Sequence, residues 1–257
     1  MTDTGWRGMV LCLALLICGS VGPVMAQEGP VRTGTLSINF GVQTASAFSA
    51  TVPLTVNVEQ GTLTADYEGG QLPGVDASVG MRVWKNLAIG GGVTAFRSGS
   101  FSGKGITARV SARIPHPIHY DRLRDVSGRG EGLAQTEIGL HLQAMWITSI
   151  RERLLVTVFA GPTAFSVERD IVIGVEAQET YPYDSAGFKG VSSQRVSDSA
   201  VGFNVGLDLG FYFSQHIGVG GLLRFSRGTV YLDVPEGEAL SVETGGVQST
   251  GGLRIRF

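Results

Sequence analysis

The chain has 257 residues, of which 38 are glycine, only 16% are charged, and the formal net charge is −2. That profile excludes a disordered polyelectrolyte and gives no basis for a nucleic-acid or other polyanionic partner. The two cysteines, Cys12 and Cys18, both fall in the first twenty residues, so no disulfide framework is available to the rest.

The opening reads as a secretory signal. Arg7 precedes an apolar run from Met9 to Cys18, and Val24-Met25-Ala26 offers small residues for cleavage before Gln27. The run is shorter than the roughly 20 residues that a spanning helix needs. The expected division is a signal peptide over 1–26 and one domain over 27–257.

Beyond Ala26 the pattern has a period of two, the signature of strands with one apolar and one polar face. The first segment is Gly34–Thr44, with Leu36, Ile38, Phe40 and Val42 on one side. Residues 45–74 are mixed, with short alternations at 52–58 and 62–67 that suggest a hairpin around Gly61. Val75–Trp84 and Leu87–Phe96 follow, joined by the turn Lys85-Asn86, with the parity of Trp84 pointing inward. A long connection at 97–132 contains one further alternating piece, Ile106–Arg113. Leu133–Ile147 and Leu154–Val167 come next, and Pro162 predicts a bulge or a lost ladder bond there. After a long loop at 169–199, Ala200–Phe213 gives the clearest alternation in the chain. Ile217–Tyr231, a loop at 235–244 and Gly245–Phe257 complete the set.

These segments predict an all-β fold: a closed eight-stranded antiparallel up-and-down transmembrane barrel, with long and short connections alternating as in membrane barrels. Trp146, Phe211, Phe213 and Phe257 fall at strand ends on the short-turn side, where an interfacial girdle belongs. The apolar rows are expected to face lipid. The polar rows carry Arg82, Glu137, His141, Asp208, Arg224, Arg254 and Arg256, which are expected to form an interior polar network.

Several constellations bear on catalysis and metal binding. Glu137 and His141 share one face and form either an acid–base pair or, preferably, part of the interior network. His116, His119 and Asp121 lack a fourth ligand and match no closed metal set, so no metal or cofactor is expected. Tyr181, Tyr183 and Phe188 in the third outer loop are candidate binding anchors, or a lid packed on the barrel mouth. Ser249 on an outward row has no histidine or carboxylate beside it, and no Gly-x-Ser-x-Gly elbow occurs.

The chain ends in GGLRIRF, where Leu253, Ile255 and Phe257 alternate with arginines. In this terminal strand, and along residues 34–257, the sequence resembles the outer-membrane β-barrel family, in particular its small eight-stranded type, similar to the membrane domain of outer membrane protein A. The resemblance implies a place in the cell outer membrane among lipid and lipopolysaccharide. It also implies that Leu253, Ile255 and Phe257 are read by the barrel-assembly machinery. The expected role is structural, or contact with an unknown extracellular ligand through the outer loops. A lipid A-modifying enzyme and a narrow channel are the alternatives.

Overall fold

The computed structural model describes residues 34–56, 59–98, 105–119, 122–151, 153–179, 181, 183–234 and 239–257. The expected signal segment lies outside these. All regular structure among the described residues is strand: β1 Gly34–Thr44, β2 Phe48–Val56, β3 Glu59–Tyr67, β4 Gln71–Trp84, β5 Leu87–Arg97, β6 Ile106–Pro115, β7 Leu123–Leu133, β8 Gln135–Arg151, β9 Leu154–Glu179, β10 Ala186–Tyr212, β11 Ile217–Leu232 and β12 Leu240–Arg256.

Eight of the twelve form an antiparallel ring in the order β1-β12-β11-β10-β9-β8-β5-β4. β1 pairs with β4 on one side and β12 on the other, which leaves the ring without an edge. The last residue completes the seam: Gly34 N–H donates to the Phe257 carbonyl at 2.9 Å, and Phe257 N–H donates back at 3.0 Å. A Cβ at position 34 would meet the Phe257 ring, which would have to turn aside to admit it.

The remaining strands make a separate four-stranded sheet in the order β2-β3-β6-β7. The short alternations expected at 52–58, 62–67 and 106–113 fall in β2, β3 and β6, while β7 and the sheet they build together are new. The hairpin does not turn at Gly61, which lies inside β3 opposite Leu54. Residues 123–133 are the strand β7, paired with β6. Most of the expected loop at 169–199 is a continuation of β9 and β10, strands of 26 and 27 residues.

The reason lies in a change of side. Along β11, exposure alternates without a break from Ile217 to Leu232. In the lower half the outward positions are Ile217, Val219, Leu223 and Phe225, and the inward ones include Arg224 and Ser226. In the upper half the outward positions are Arg227, Thr229 and Tyr231, and the inward ones include Val230 and Leu232. β10 does the same, with Val196 inward above and Val201, Phe203 and Val205 outward below. The upper ends therefore bury apolar residues as a water-soluble sheet does.

Those residues pack against the four-stranded sheet. Leu63, Ala65, Val110, Ala112 and Val126 from the sheet join Val167, Ile171, Val230, Leu232 and Val242 from the long strands in one buried cluster. The result is a two-layer sheet head continuous with the barrel. Tyr67 ties the layers together: its hydroxyl accepts from Val172 N–H at 2.7 Å, and its ring stacks on Phe48 at 4.3 Å. Burial pushes the Tyr67 phenol up to about 12.

At the barrel, one of the two outcomes expected at Pro162 is found, and the expected inward Trp84 is overturned. At Pro162 there is no bulge. The β8–β9 register runs from His141↔Thr163 to Ala144↔Ala160 with no shift and no pairing between, so ladder bonds are lost instead. Asn204 Nδ2 donates to the Gly161 and Pro162 carbonyls at 3.0 and 3.1 Å and satisfies them. A bulge does occur between Arg82 and Trp84. It turns Val83 and Trp84 outward together, so Trp84 is exposed rather than inward.

The layers close over two glycines of β7. A Cβ on Gly128 would lie 2.2 Å from Cγ of Phe188, and one on Gly130 would lie 2.9 Å from a Val191 methyl. Gly128→Val therefore forces Phe188 and the β9–β10 hairpin away from the sheet, at a cost of about 1–3 kcal/mol. Limited proteolysis in detergent should show cleavage within 168–198 for the variant, while the barrel fragment stays resistant.

Candidate functional site

The ring encloses a narrow interior whose filling follows from strand parity. Toward the short turns, inward positions carry Ala88, Met145, Ile147, Leu155, Phe159, Tyr212 and Leu222, which form a second apolar cluster. Above them the inward positions are polar.

One hydrogen-bonded chain crosses this middle zone. Asp208 takes Arg254 through both carboxylate oxygens, at 3.1 and 2.6 Å. Arg254 donates to Asn39 Oδ1, and Asn39 Nδ2 donates to Asp76 Oδ1 at 2.7 Å. Arg224 Nη1 donates to Asp76 Oδ2 at 2.8 Å and to Gln248 Oε1 at 3.0 Å. Gln248 donates to Gln43, and Gln43 Nε2 donates to Glu137 Oε1 at 2.8 Å. Glu137 also accepts from Gly245 N–H at 3.0 Å. The Arg224 guanidinium lies 5.5 Å from the Phe159 ring centroid, between the polar zone and the apolar plug.

A second chain runs along the β8–β9–β10 wall. The His141 ring nitrogens lie 3.1 Å from Thr94 Oγ1 and 2.8 Å from Thr163 Oγ1. Asn204 donates to Thr163, and Gln143 donates to Asn204. Glu137 and His141 thus sit on one face but in different chains, with no carboxylate against the imidazole. This arrangement gives no acid–base pair.

Five of the seven polar residues singled out in the sequence lie in these chains: Glu137, His141, Asp208, Arg224 and Arg254. Arg82 and Arg256 stand apart near the short turns, both half-buried. Arg256 lies 3.7 Å over the Tyr212 ring. Asn39, Gln43, Asp76 and Gln248, absent from the expected network, link the charges. Their signal was available, since Asn39, Gln43 and Asp76 occupy the polar positions of the first two alternating segments.

The other candidate site is the far tip of the head, where the β6–β7 and β9–β10 turns meet. Arg124, buried, joins them. It donates to the Pro115 carbonyl at 2.9 Å, the Tyr183 carbonyl at 3.0 Å and Glu179 Oε1 at 2.5 Å. His116, also buried, accepts the Ile118 and His119 N–H groups at Nδ1, at 3.1 and 3.0 Å. Its Nε2 faces Asp184 Oδ1 at 4.0 Å. His116 is thus a turn-former. Asp121 lies outside the described residues, and no group among the described residues could hold a metal ion. Tyr181 is 79% exposed and meets Tyr183 edge to face, centroids 5.9 Å apart. Phe188 differs from these two: its ring packs over Gly128 between the sheets.

The Arg224–Asp76 pair has no exposed side-chain surface at all. Asp76→Ala strands the Arg224 charge in a site it cannot leave, and should cost about 3–5 kcal/mol in urea unfolding from detergent micelles. The double change Asp76→Leu with Arg224→Met should cost less than Asp76→Ala alone.

No protein-family model matches the chain, and no curated protein sequence matches it. Among solved structures it is similar to the outer membrane protein OprG from Pseudomonas aeruginosa, with 7% identity over 88% of this chain and 97% of that one and a TM-score of 0.46. It is also similar to Neisserial surface protein A, with 10% identity over 90% and 100% of the two chains and a TM-score of 0.45. For Ail, the attachment invasion locus protein of Yersinia pestis, the identity is 11%, the coverage 88% and 99%, and the TM-score 0.39. The chain's own side chains carry the assignment: eight strands in a ring, charges turned inward and bonded, aliphatic and aromatic groups turned outward. With that distribution, the fold is an eight-stranded antiparallel β-barrel whose outer face is apolar and whose interior is polar.

Proposed function

We propose that the chain is exported by its 1–26 segment, resides in the cell outer membrane, and acts there by contact through its sheet head. In this reading the lower barrel touches lipid and lipopolysaccharide through residues such as Ile89, Leu142, Val158, Leu223 and Phe225, all exposed. Leu253, Ile255 and Phe257 present the terminal strand to the barrel-assembly machinery. The head stands on the outer side, because the connections at the opposite end, Lys85-Asn86 and residues 213–216 among them, are tight turns of the kind membrane barrels place in the periplasm. Its distal tip carries Tyr181 and Tyr183 toward an extracellular ligand.

The observation that carries the reading is the filled interior. A conduit needs an aqueous path, whereas here Arg224, Gln43, Gln143 and Gln248 are among the most completely buried side chains in the molecule. Below them lies the apolar plug, and above them the core of the head. A barrel of eight strands is just wide enough for side chains to fill. Against lipid A chemistry stands the surface around Ser249. Its partners on the adjoining strands are Val42 and Leu223, which supply neither base nor acid.

Purified protein in planar bilayers should give no stable conductance steps, and lipid A incubated with it should be recovered unchanged. Nanodiscs carrying the protein should bind arrayed extracellular glycans, lipids or proteins in a way that Tyr181→Ala weakens. Resolved single-channel steps or lipid A turnover would contradict the reading.

A further inference from the structure

We propose that the corner made by the Tyr181 and Tyr183 rings, with Asp184 next in sequence, binds an alkylammonium cation. The proposal rests on the contact reading above and names the chemistry of what the tip would hold.

The backbone gives the first reason. Tyr183 has φ of 71°, in the left-handed region that a tyrosine rarely enters. The buried Arg124 holds it there by bonding its carbonyl. Strain maintained by a buried clamp at an exposed aromatic is a reason to look for function at that residue.

The geometry of the rings gives the second. Tyr181 and Tyr183 stand at 83° to each other, two walls of a corner, with Tyr181 almost wholly in solvent. Such walls cost the free protein exposed apolar surface, and their negative faces suit a positive group with a greasy shell. Charge gives the third. The tip's buried guanidinium, Arg124, is neutralised by Glu179. His116 faces Asp184 only at 4.0 Å, and the Asp184 side chain is 74% exposed. A carboxylate next in sequence to an aromatic corner favours a cation over an anion or a neutral sugar. Two sources share this chemistry: a choline headgroup and a lysine side chain.

The test uses the mature chain in maltoside micelles, which contain no choline, titrated with tetramethylammonium chloride against sodium chloride at equal ionic strength. Tyrosine ring resonances should shift saturably. Tyr181→Ala should weaken binding about twofold to fivefold. Tyr183→Gly should do the same without loss of stability, because glycine accepts this φ freely. Asp184→Asn should weaken binding and flatten its salt dependence. Competition by glycerophosphocholine or by Nα-acetyl-lysine amide supports the proposal and assigns the source. Absence of saturable shifts, or binding unchanged by Tyr181→Ala, overturns it. If Tyr181→Ala abolishes surface contact while tetramethylammonium fails to bind, the cation is wrong and the contact reading stands.

Discussion

A strand that crosses a bilayer and continues into water must change which side it buries. In lipid the outward row has to be apolar; above the headgroups the same row has to be polar, and the apolar groups must find cover within the protein. β11 makes this change between Phe225 and Val230 without altering its backbone alternation. The change gives the molecule two interiors, a polar one within the ring and an apolar one in the head. Everything else in the fold accommodates that switch.

The polar interior is held by bonds among its members, with Arg224 Nε and Nη2 and Glu137 Oε2 left without a hydrogen-bond partner among the described residues. Asp208, Arg254, Asn39, Asp76, Arg224, Gln248, Gln43 and Glu137 form a continuous series of bonds drawn from β1, β4, β8, β10, β11 and β12. Each charge is worth little as a stabiliser on its own, since desolvation offsets most of the Coulombic gain. Their joint effect is to fix which strands lie opposite one another. The same packing leaves no evident path for solutes, which moves the functional emphasis from the lumen to the head. Arg124 plays the corresponding part at the tip, where one buried guanidinium joins two turns that are far apart in sequence.

Much of the barrel was legible because its signal is local. The parity of Val201, Phe203 and Val205 against Asn204 and Asp208 needs only one strand to be read. The head was harder because its strands obey the opposite rule. In β11 the apolar residues move from odd numbers, Leu223 and Phe225, to even ones, Val230 and Leu232. β11 still reads through to Tyr231, but in β9 and β10 the legible alternation stops at Val167 and resumes at Ala200, and so their upper parts read as loop. That slip of one residue was itself the available clue to a membrane boundary. Trp84 was misassigned for a different reason: a bulge at Arg82–Trp84 changes parity without leaving a mark in the composition. The joining of Arg124 to Glu179 and Tyr183 depends on how distant turns meet, which no periodicity encodes.

The boundary itself can be measured. The only cysteines, Cys12 and Cys18, fall in the proposed export segment, so single cysteines placed elsewhere in the mature chain can be labelled one at a time. Spin labels at 219, 223, 225, 227, 229 and 231 of β11, in liposomes, would be tested against oxygen and a water-soluble nickel chelate. The account predicts oxygen-dominated relaxation at 219, 223 and 225, nickel-dominated relaxation at 227 and 229, and a sharp change between. Nickel access at 223 equal to that at 229 would contradict it.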